Sequence, residues 1–168
     1  MTEHLSDLAR LRAITRYDLD DPALRHALGV ITAETAQRLP GSLTAVNILL
    51  DRAVLTLATH GAARSMTAAV GGAPAEWSFC SRVVVEGRPQ VIADVALDTG
   101  GDVDGRRLAA AGLHSYAGVP IATDDGHTIG THCALHRLSG QYDEGTVAVL
   151  AAAGGRIRHE LDQVLTGG

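Results

Sequence analysis

The sequence predicts an α+β domain in which helices pack on one face of an antiparallel sheet. Two observations support this fold class. Most apolar, β-prone segments are joined in pairs by short turns, and segments of helical periodicity lie at both ends of the chain. The chain has 168 residues, 46% of them hydrophobic, which is enough for one core. We expect a single domain over residues 1–168, with an N-terminal helix within 1–18 and a core over 20–165.

The first two predicted elements are helices. Residues 4–16 carry leucine and isoleucine on one side at helical spacing. A break follows, and either Asp20 or Asp21 caps a second helix that has Pro22 at an early position. The second helix is expected to end at residues 40–41, where a proline precedes a glycine.

A hairpin and a loop come next. Residues 42–50 and 53–59 are predicted strands, and because both are almost continuously apolar we expect both faces to be covered. Residues 61–76 are rich in glycine and alanine with weak periodicity, which predicts a mobile loop.

The middle of the chain is predicted to hold shorter elements. Ser78 to Val85 is predicted to form a short helix. Gln90 to Val95 is a predicted short strand, and Asp94 lies at its end. Residues 98–105 form a polar, glycine-rich loop, and residues 106–111 form another short helix.

Residues 112–136 are the most informative segment. Two strands, 115–122 and 128–135, flank an Asp-Gly step at Gly126 that suits a tight hairpin turn. Gly118 and Gly130 leave the strand surface bare, which is typical of close approach by a backbone or a ligand. The segment therefore predicts the floor of a small-molecule pocket.

The last predicted element is a long helix that starts near Asp143. Its apolar positions alternate at three- and four-residue spacing, the pattern of a heptad seam, at Val147, Leu150, Gly154, Ile157, Leu161 and Val164. The adjacent Gly154-Gly155 indicates close approach of another helix. We expect the seam to mediate a homodimer.

Composition excludes several classes of partner. The formal charge is −5 and the basic residues are scattered, which argues against nucleic acid, as does an aromatic content of 3%. No apolar run reaches transmembrane length and the N-terminus lacks a signal-peptide core, so we expect a cytoplasmic protein with no membrane partner. Cys80 and Cys133 are expected to be buried, reduced thiols.

Four strings together resemble the GAF domain family. They are Ser78-Phe79-Cys80 with the valines that follow, Val91 to Val95, Tyr116 to Ile121, and Gly126 to Cys133. The resemblance implies a PAS-like sheet with the terminal helices on one face and a ligand pocket on the other. It also implies a sensory or regulatory role, since family members bind cyclic nucleotides, haem, bilins, small anions or metabolites. They usually signal through their terminal helices, here to a second copy or to a signalling protein.

The candidate ligand-binding residues cluster on the short helix and the hairpin. Asp94 either binds a ligand or caps its loop, with capping favoured. His114 and Tyr116 are two residues apart and are expected to share one strand face. The full set of candidates is Trp77, Phe79, Cys80, Asp94, His114, Tyr116, Gly118, Thr131 and Cys133.

Three alternatives concern metal, thiol and cofactor chemistry. His132 and His136 share the strand face opposite Cys133, with no further ligand at matching spacing, so no metal site is expected. A thiol-dependent enzyme using Cys80 or Cys133, similar to free methionine-(R)-sulfoxide reductases, remains an alternative, with Arg82 near the Cys80 thiol. A haem or bilin sensor is a third. The sequence identifies no cofactor and no catalytic residue.

Overall fold

A computed structural model describes residues 2–61 and 73–167. Most of the loop predicted at 61–76 lies outside these residues. Its described end holds an isolated bridge between Ala53 and Pro74, followed by a single 3₁₀ turn at Ala75–Trp77. Within the described ranges, none of the helices has the length and apolarity that crossing a bilayer requires.

The described residues form six α-helices and five strands. In chain order they are α1 (Thr2–Leu5), α2 (Leu8–Ile14), α3 (Pro22–Arg38), β1 (Ser42–Leu49), β2 (Val54–His60), α4 (Phe79–Glu86), β3 (Gln90–Ile92), α5 (Arg106–Ala110), β4 (Ser115–Ala122), β5 (Thr128–His136) and α6 (Glu144–Asp162).

The five strands make one antiparallel sheet in the order β2-β1-β5-β4-β3. This confirms the predicted α+β fold class. Strand β1 is buried along its whole length, as its continuous apolar character predicts. Alternate residues of β1 face opposite sides: Leu43 and Ala45 pack in one core, and Val46 and Ile48 in the other.

Helices α2, α3 and α6 cover the Val46 side of the sheet, and α4 covers the Leu43 side. The predicted first helix is divided in two, because the carboxylate of Asp7 accepts hydrogen bonds from the backbone of Ala9 and Arg10 and so caps α2. As a result Leu5 of α1 packs with the α4 side rather than with the other terminal helices.

Two further boundaries follow from capping. Asp21, rather than Asp20, caps α3 by accepting from the backbone nitrogen of Leu24 at 2.9 Å. Asp143 and Thr146 close a reciprocal capping box at the start of α6, as expected for a helix that begins there.

The homodimer predicted through the α6 seam stays a prediction, but the seam residues are already covered within one chain. Leu150, Ile157 and Leu161 are each 0% exposed because this face of α6 packs on the chain's own sheet. A Cβ atom at Gly154 would lie 3.5 Å from Ile121, so the small residue serves helix-to-sheet packing. Over so few helical turns, the apolar spacing of a coiled-coil seam cannot be distinguished from that of a helix face that packs on the core of its own domain.

Candidate functional site

A cavity of about 400 Å³ lies on the side of the sheet opposite α3 and α6. Strands β1, β2, β4 and β5 form its floor, and the 3₁₀ turn, α4 and α5 form its walls. Its lining is mainly apolar and comprises Leu43, Ala45, Asn47, Thr56, Thr59, Ala73, Trp77, Ser78, Phe79, Cys80, Arg107, Leu108, Ala111, Leu113, Tyr116, Cys133 and Leu135.

The start of α4 places two side chains against the sheet. Ser78 caps the helix, its hydroxyl accepting from the backbone nitrogen of Cys80 at 3.2 Å, and Gly87 ends it in the left-handed conformation at φ 62°. This orientation buries Phe79 and Cys80. The Phe79 ring lies 5.6 Å from that of Tyr116, centroid to centroid, which joins α4 to β4.

Two thiols and an amide form a polar cluster in the otherwise apolar floor. Asn47 Nδ2 donates to Cys80 Sγ at 3.5 Å and to Cys133 Sγ at 3.7 Å. Thr56 donates to the amide oxygen of Asn47 at 2.8 Å, which turns the NH₂ group toward the sulfurs. The hydroxyl of Tyr116 donates to Cys80 Sγ at 3.2 Å. Cys80 is therefore surrounded by donors.

The contact between the two thiols drives their pKa values apart. The hydrogen bond from the Cys133 thiol is the largest cause that lowers the pKa of Cys80 to about 6, against the opposing effect of burial. The same bond and burial raise the pKa of Cys133. Cys80, the second residue of α4, also benefits from the helix N-terminus. At neutral pH the arrangement favours a Cys80 thiolate beside a protonated Cys133.

Arg82 does not act on the thiol as the sequence had indicated. Its guanidinium bonds to Asp98 at 2.6 Å and lies over the Phe79 ring, 5.0 Å from the centroid. The Arg82 pairing lowers the pKa of the Asp98 carboxyl. This ion pair fixes the polar loop after β3 against α4.

The side of the cavity toward solvent carries a stacked pair. Trp77 is 38% exposed, and the guanidinium carbon of Arg107 lies 3.9 Å from the centre of its ring. Inside, the hydroxyl of Thr59 is buried and has no hydrogen-bond partner among the described residues. The cavity therefore has a mainly apolar interior, a cation at its rim and a hydroxyl without a partner in the part of the chain that the structure describes.

The structure brings most of the predicted residues together. Trp77, Phe79, Cys80, Tyr116 and Cys133 line the cavity. Two other predicted residues, Thr131 and Gly118, are not part of the cavity lining. Thr131 is buried. Gly118 provides the room that the Tyr116 hydroxyl occupies, since a Cβ there would lie 2.2 Å from that oxygen.

Two predicted residues lie away from the cavity. Asp94 accepts from the backbone nitrogen of Ala96 at 3.0 Å and so caps its loop, the reading that the sequence favoured. His114 comes directly before β4, its backbone hydrogen-bonds to Val95 and His136, and its side chain is not among those that line the cavity.

The histidines of β5 lie on the other side of the sheet from Cys133. His132 is 0% exposed, and its ring nitrogens contact the Thr35 hydroxyl at 3.0 Å and the Ala45 carbonyl at 2.9 Å. Burial lowers its pKa to about 4. His132 is a neutral core residue with both nitrogens in use.

Sequence reasoning missed Asn47, Thr59 and Arg107. A signal for Asn47 existed, since it is a polar residue within an apolar strand predicted to be buried on both faces, and such a residue requires a partner. No signal in the sequence indicated Arg107, because its contact with the Trp77 ring depends on how α5 packs beside that ring.

The fold and cavity together define a class: single-sheet α+β domains that hold a pocket between the sheet and a cover of short helices. Residues 9–159 match the GAF domain family, and the chain belongs to that family. A search of curated proteins found no match.

Solved structures agree with the fold. The GAF domain region of a Geobacter sulfurreducens PCA protein is 14% identical, with a TM-score of 0.68 over 84% of this chain and 95% of that one. Free methionine-R-sulfoxide reductase from Neisseria meningitidis, solved with its substrate, is 16% identical with a TM-score of 0.68, over 86% and 81%. The GAF domain of an Acinetobacter phosphoenolpyruvate-protein phosphotransferase is 13% identical with a TM-score of 0.65, over 93% and 92%.

Proposed function

We propose that this GAF domain binds a small organic ligand in the cavity and acts as a sensory or regulatory module. The observation that carries the proposal is the cavity of about 400 Å³, mainly apolar with a few polar groups. Concave sites of this size and character are typical of small-molecule binding.

The lining suggests the chemistry of the ligand. Phe79, Leu108 and Leu135 suit an apolar body. The Thr59 hydroxyl, which has no partner among the described residues, suits a hydrogen-bonding group. Arg107, stacked on Trp77 at the rim, suits an anionic end. We infer a ligand with an apolar body and one anionic group.

Strand β1 connects the cavity with the helices. Asn47 faces the cavity, whereas the next residue, Ile48, packs with α3 and α6 on the other side. A ligand that shifts β1 therefore acts on those helices, to the extent that it binds the two states differently. The output proposed is a change in contact with a signalling protein or a second copy in the cytoplasm.

The test uses anilinonaphthalene sulfonate, an apolar anion, with Trp77, the chain's single tryptophan, as the reporter. We expect saturable binding that Arg107→Gln weakens about tenfold, in the range of a lost charge-assisted hydrogen bond. Arg106→Gln is the matched control, because Arg106 pairs with Asp104 outside the cavity lining. Equal loss in both variants would contradict the proposed site.

A second pair of variants tests the cavity itself. Ala111 is exposed but contributes to the lining, and its neighbour Ala110 does not. Ala111→Phe should reduce binding of the probe, and Ala110→Phe should leave it unchanged. Binding that survives the filled cavity would place the probe elsewhere. Native mass spectrometry of protein from its own host would then identify the natural ligand.

A second candidate function is a thiol-dependent reductase, favoured by the Cys80 and Cys133 pair in the cavity floor. The reductases of known structure are similar to this chain at 14% to 23% identity, which indicates a common fold. Turnover of free methionine-R-sulfoxide with dithiothreitol, abolished by Cys80→Ser, would support this function. Absence of turnover would exclude this reductase activity and leave the proposed ligand-binding function.

The alternative of a haem sensor has its own test, because a haem-binding protein would show a Soret band after haem addition.

A further inference from the structure

Cys80 and Cys133 are neighbours on different elements, one at the start of α4 and the other in the middle of β5. A single NH₂ group, that of Asn47, contacts both sulfurs, and the Cys133 thiol is a hydrogen-bond partner of Cys80, so the two side chains meet on the cavity floor. Both thiols are free and buried from bulk solvent, at 2% and 1% exposure, yet both line the cavity.

We propose that Cys80 and Cys133 form a hydroperoxide-sensitive dithiol, which a small uncharged hydroperoxide in the cavity converts to a disulfide. This inference goes beyond ligand binding, because it needs no ligand that stays bound and no turnover.

The roles of the two thiols follow from their contacts. Asn47 donates to both sulfurs, whereas the Tyr116 hydroxyl donates to Cys80, and such a donor stabilises a thiolate, the reactive form of cysteine. Cys133 keeps its proton. Cys80 is therefore the nucleophile and Cys133 the thiol that resolves the oxidised product.

The reaction balances in two steps. The Cys80 thiolate attacks the terminal oxygen of the hydroperoxide, so that an S–O bond forms and the O–O bond breaks. The alkoxide leaves and takes a proton from solvent, which gives an alcohol and a sulfenic acid at Cys80. The sulfur of Cys133 then attacks that of Cys80, and the S–O bond breaks. Hydroxide leaves with the proton of Cys133 as water. The two sulfurs lose two electrons and the hydroperoxide gains them.

The floor of the cavity, away from Arg107 at the rim, favours this oxidant over a bulky disulfide or a charged reagent. Apart from the polar cluster, the walls around the sulfurs are aliphatic and aromatic, as at Phe79 and Leu135. A neutral hydroperoxide with a small apolar group loses little hydration on entering such a space.

The experiment treats the reduced full-length chain with cumene hydroperoxide and measures the intact mass after denaturation and alkylation. We expect a loss of two hydrogen atoms, no uptake of iodoacetamide, a peptide that links Cys80 to Cys133, and reversal by dithiothreitol. An unchanged mass under conditions that oxidise free cysteine would overturn the proposal. Disulfides only between chains would do the same.

Two cysteine-to-serine variants test which thiol is the nucleophile and which one resolves the sulfenic acid. In Cys133→Ser, where the serine retains a hydroxyl donor, Cys80 should stop at the sulfenic acid and be trapped by dimedone. In Cys80→Ser, oxidation of Cys133 should be at least about tenfold slower, because an ordinary buried thiol is mostly protonated at neutral pH. Equal rates at the two sites would overturn the assignment. If a variant does not fold, as judged by circular dichroism, the wild-type mass still tests the disulfide. Probe binding to Cys80→Ser tests the ligand site separately.

Discussion

The hydroxyl of Tyr116 donates a hydrogen bond to the sulfur of Cys80 across 3.2 Å, and both groups are fully buried. Burial raises the pKa of Tyr116 far above its ordinary value. The phenol therefore stays protonated at neutral pH and remains a hydrogen-bond donor. A buried thiolate normally is costly, and this bond is one of the contacts that offset the cost.

Removal of that hydroxyl should make Cys80 a weaker acid. In Tyr116→Phe the thiolate loses a donor, so the pKa of Cys80 should rise above about 6. The thiolate ultraviolet absorbance as a function of pH measures this change. Tyr142→Phe is the matched control, because the Tyr142 hydroxyl bonds to Ser42 rather than to Cys80. An equal rise in both variants would mean that the Tyr116 bond is not the cause.

A methyl group at Gly118 should disturb the same bond from the other side. The Cβ atom of Gly118→Ala would lie 2.2 Å from the Tyr116 hydroxyl, so the ring must move away from Cys80. We expect a loss of about 1–3 kcal/mol in the free energy of unfolding, the usual cost of overpacking, and a higher Cys80 pKa. Urea denaturation measures the first quantity.

The control for this change is Gly155→Ala on α6. Gly155 is exposed, and nothing lies within 4 Å of an added Cβ, so alanine should stabilise the helix by up to about 1 kcal/mol. Destabilisation by both substitutions would contradict the steric explanation at Gly118.

His132 should make stability depend on pH. Its folded pKa is lowered to about 4 from 6.5 by burial, so the unfolded chain binds a proton more readily than the folded one. The stabilising contribution is therefore complete above pH 6.5 and is lost as the pH falls toward 4. The pKa difference corresponds to a free energy of about 3 kcal/mol.

Urea denaturation across this pH range checks the assignment by comparison of two variants. His132→Gln should show a shallower fall in stability than the wild type, because the titrating group is gone. His26→Gln, at an exposed position of α3, should keep the wild-type slope. Parallel slopes in the wild type and His132→Gln would assign the acid sensitivity to other groups.

The sequence predicted the fold better than it predicted the site. Strand pairing around Gly126 and the caps at Asp21 and Asp143 depend on local turn and helix chemistry, which short stretches of sequence contain. The contact of Asn47 with Cys80 and Cys133 joins three distant elements and depends on the register of β1 against β5. No local pattern encodes that register. The α6 stripe was ambiguous for a similar reason, because an apolar face does not specify which surface covers it.

A charge in that stripe should therefore unfold the chain rather than separate a dimer. Ile157 is 0% exposed and packs among α2, α3 and the sheet, so Ile157→Asp buries a carboxylate without a partner. We expect a loss of at least about 3 kcal/mol in stability, seen by circular dichroism and urea denaturation. Ala152→Asp places the same charge at an exposed position of α6 and should change stability by less than about 1 kcal/mol. Sedimentation of both variants completes the test: a folded, monomeric Ile157→Asp protein from a dimeric wild type would show that the stripe is an interface after all.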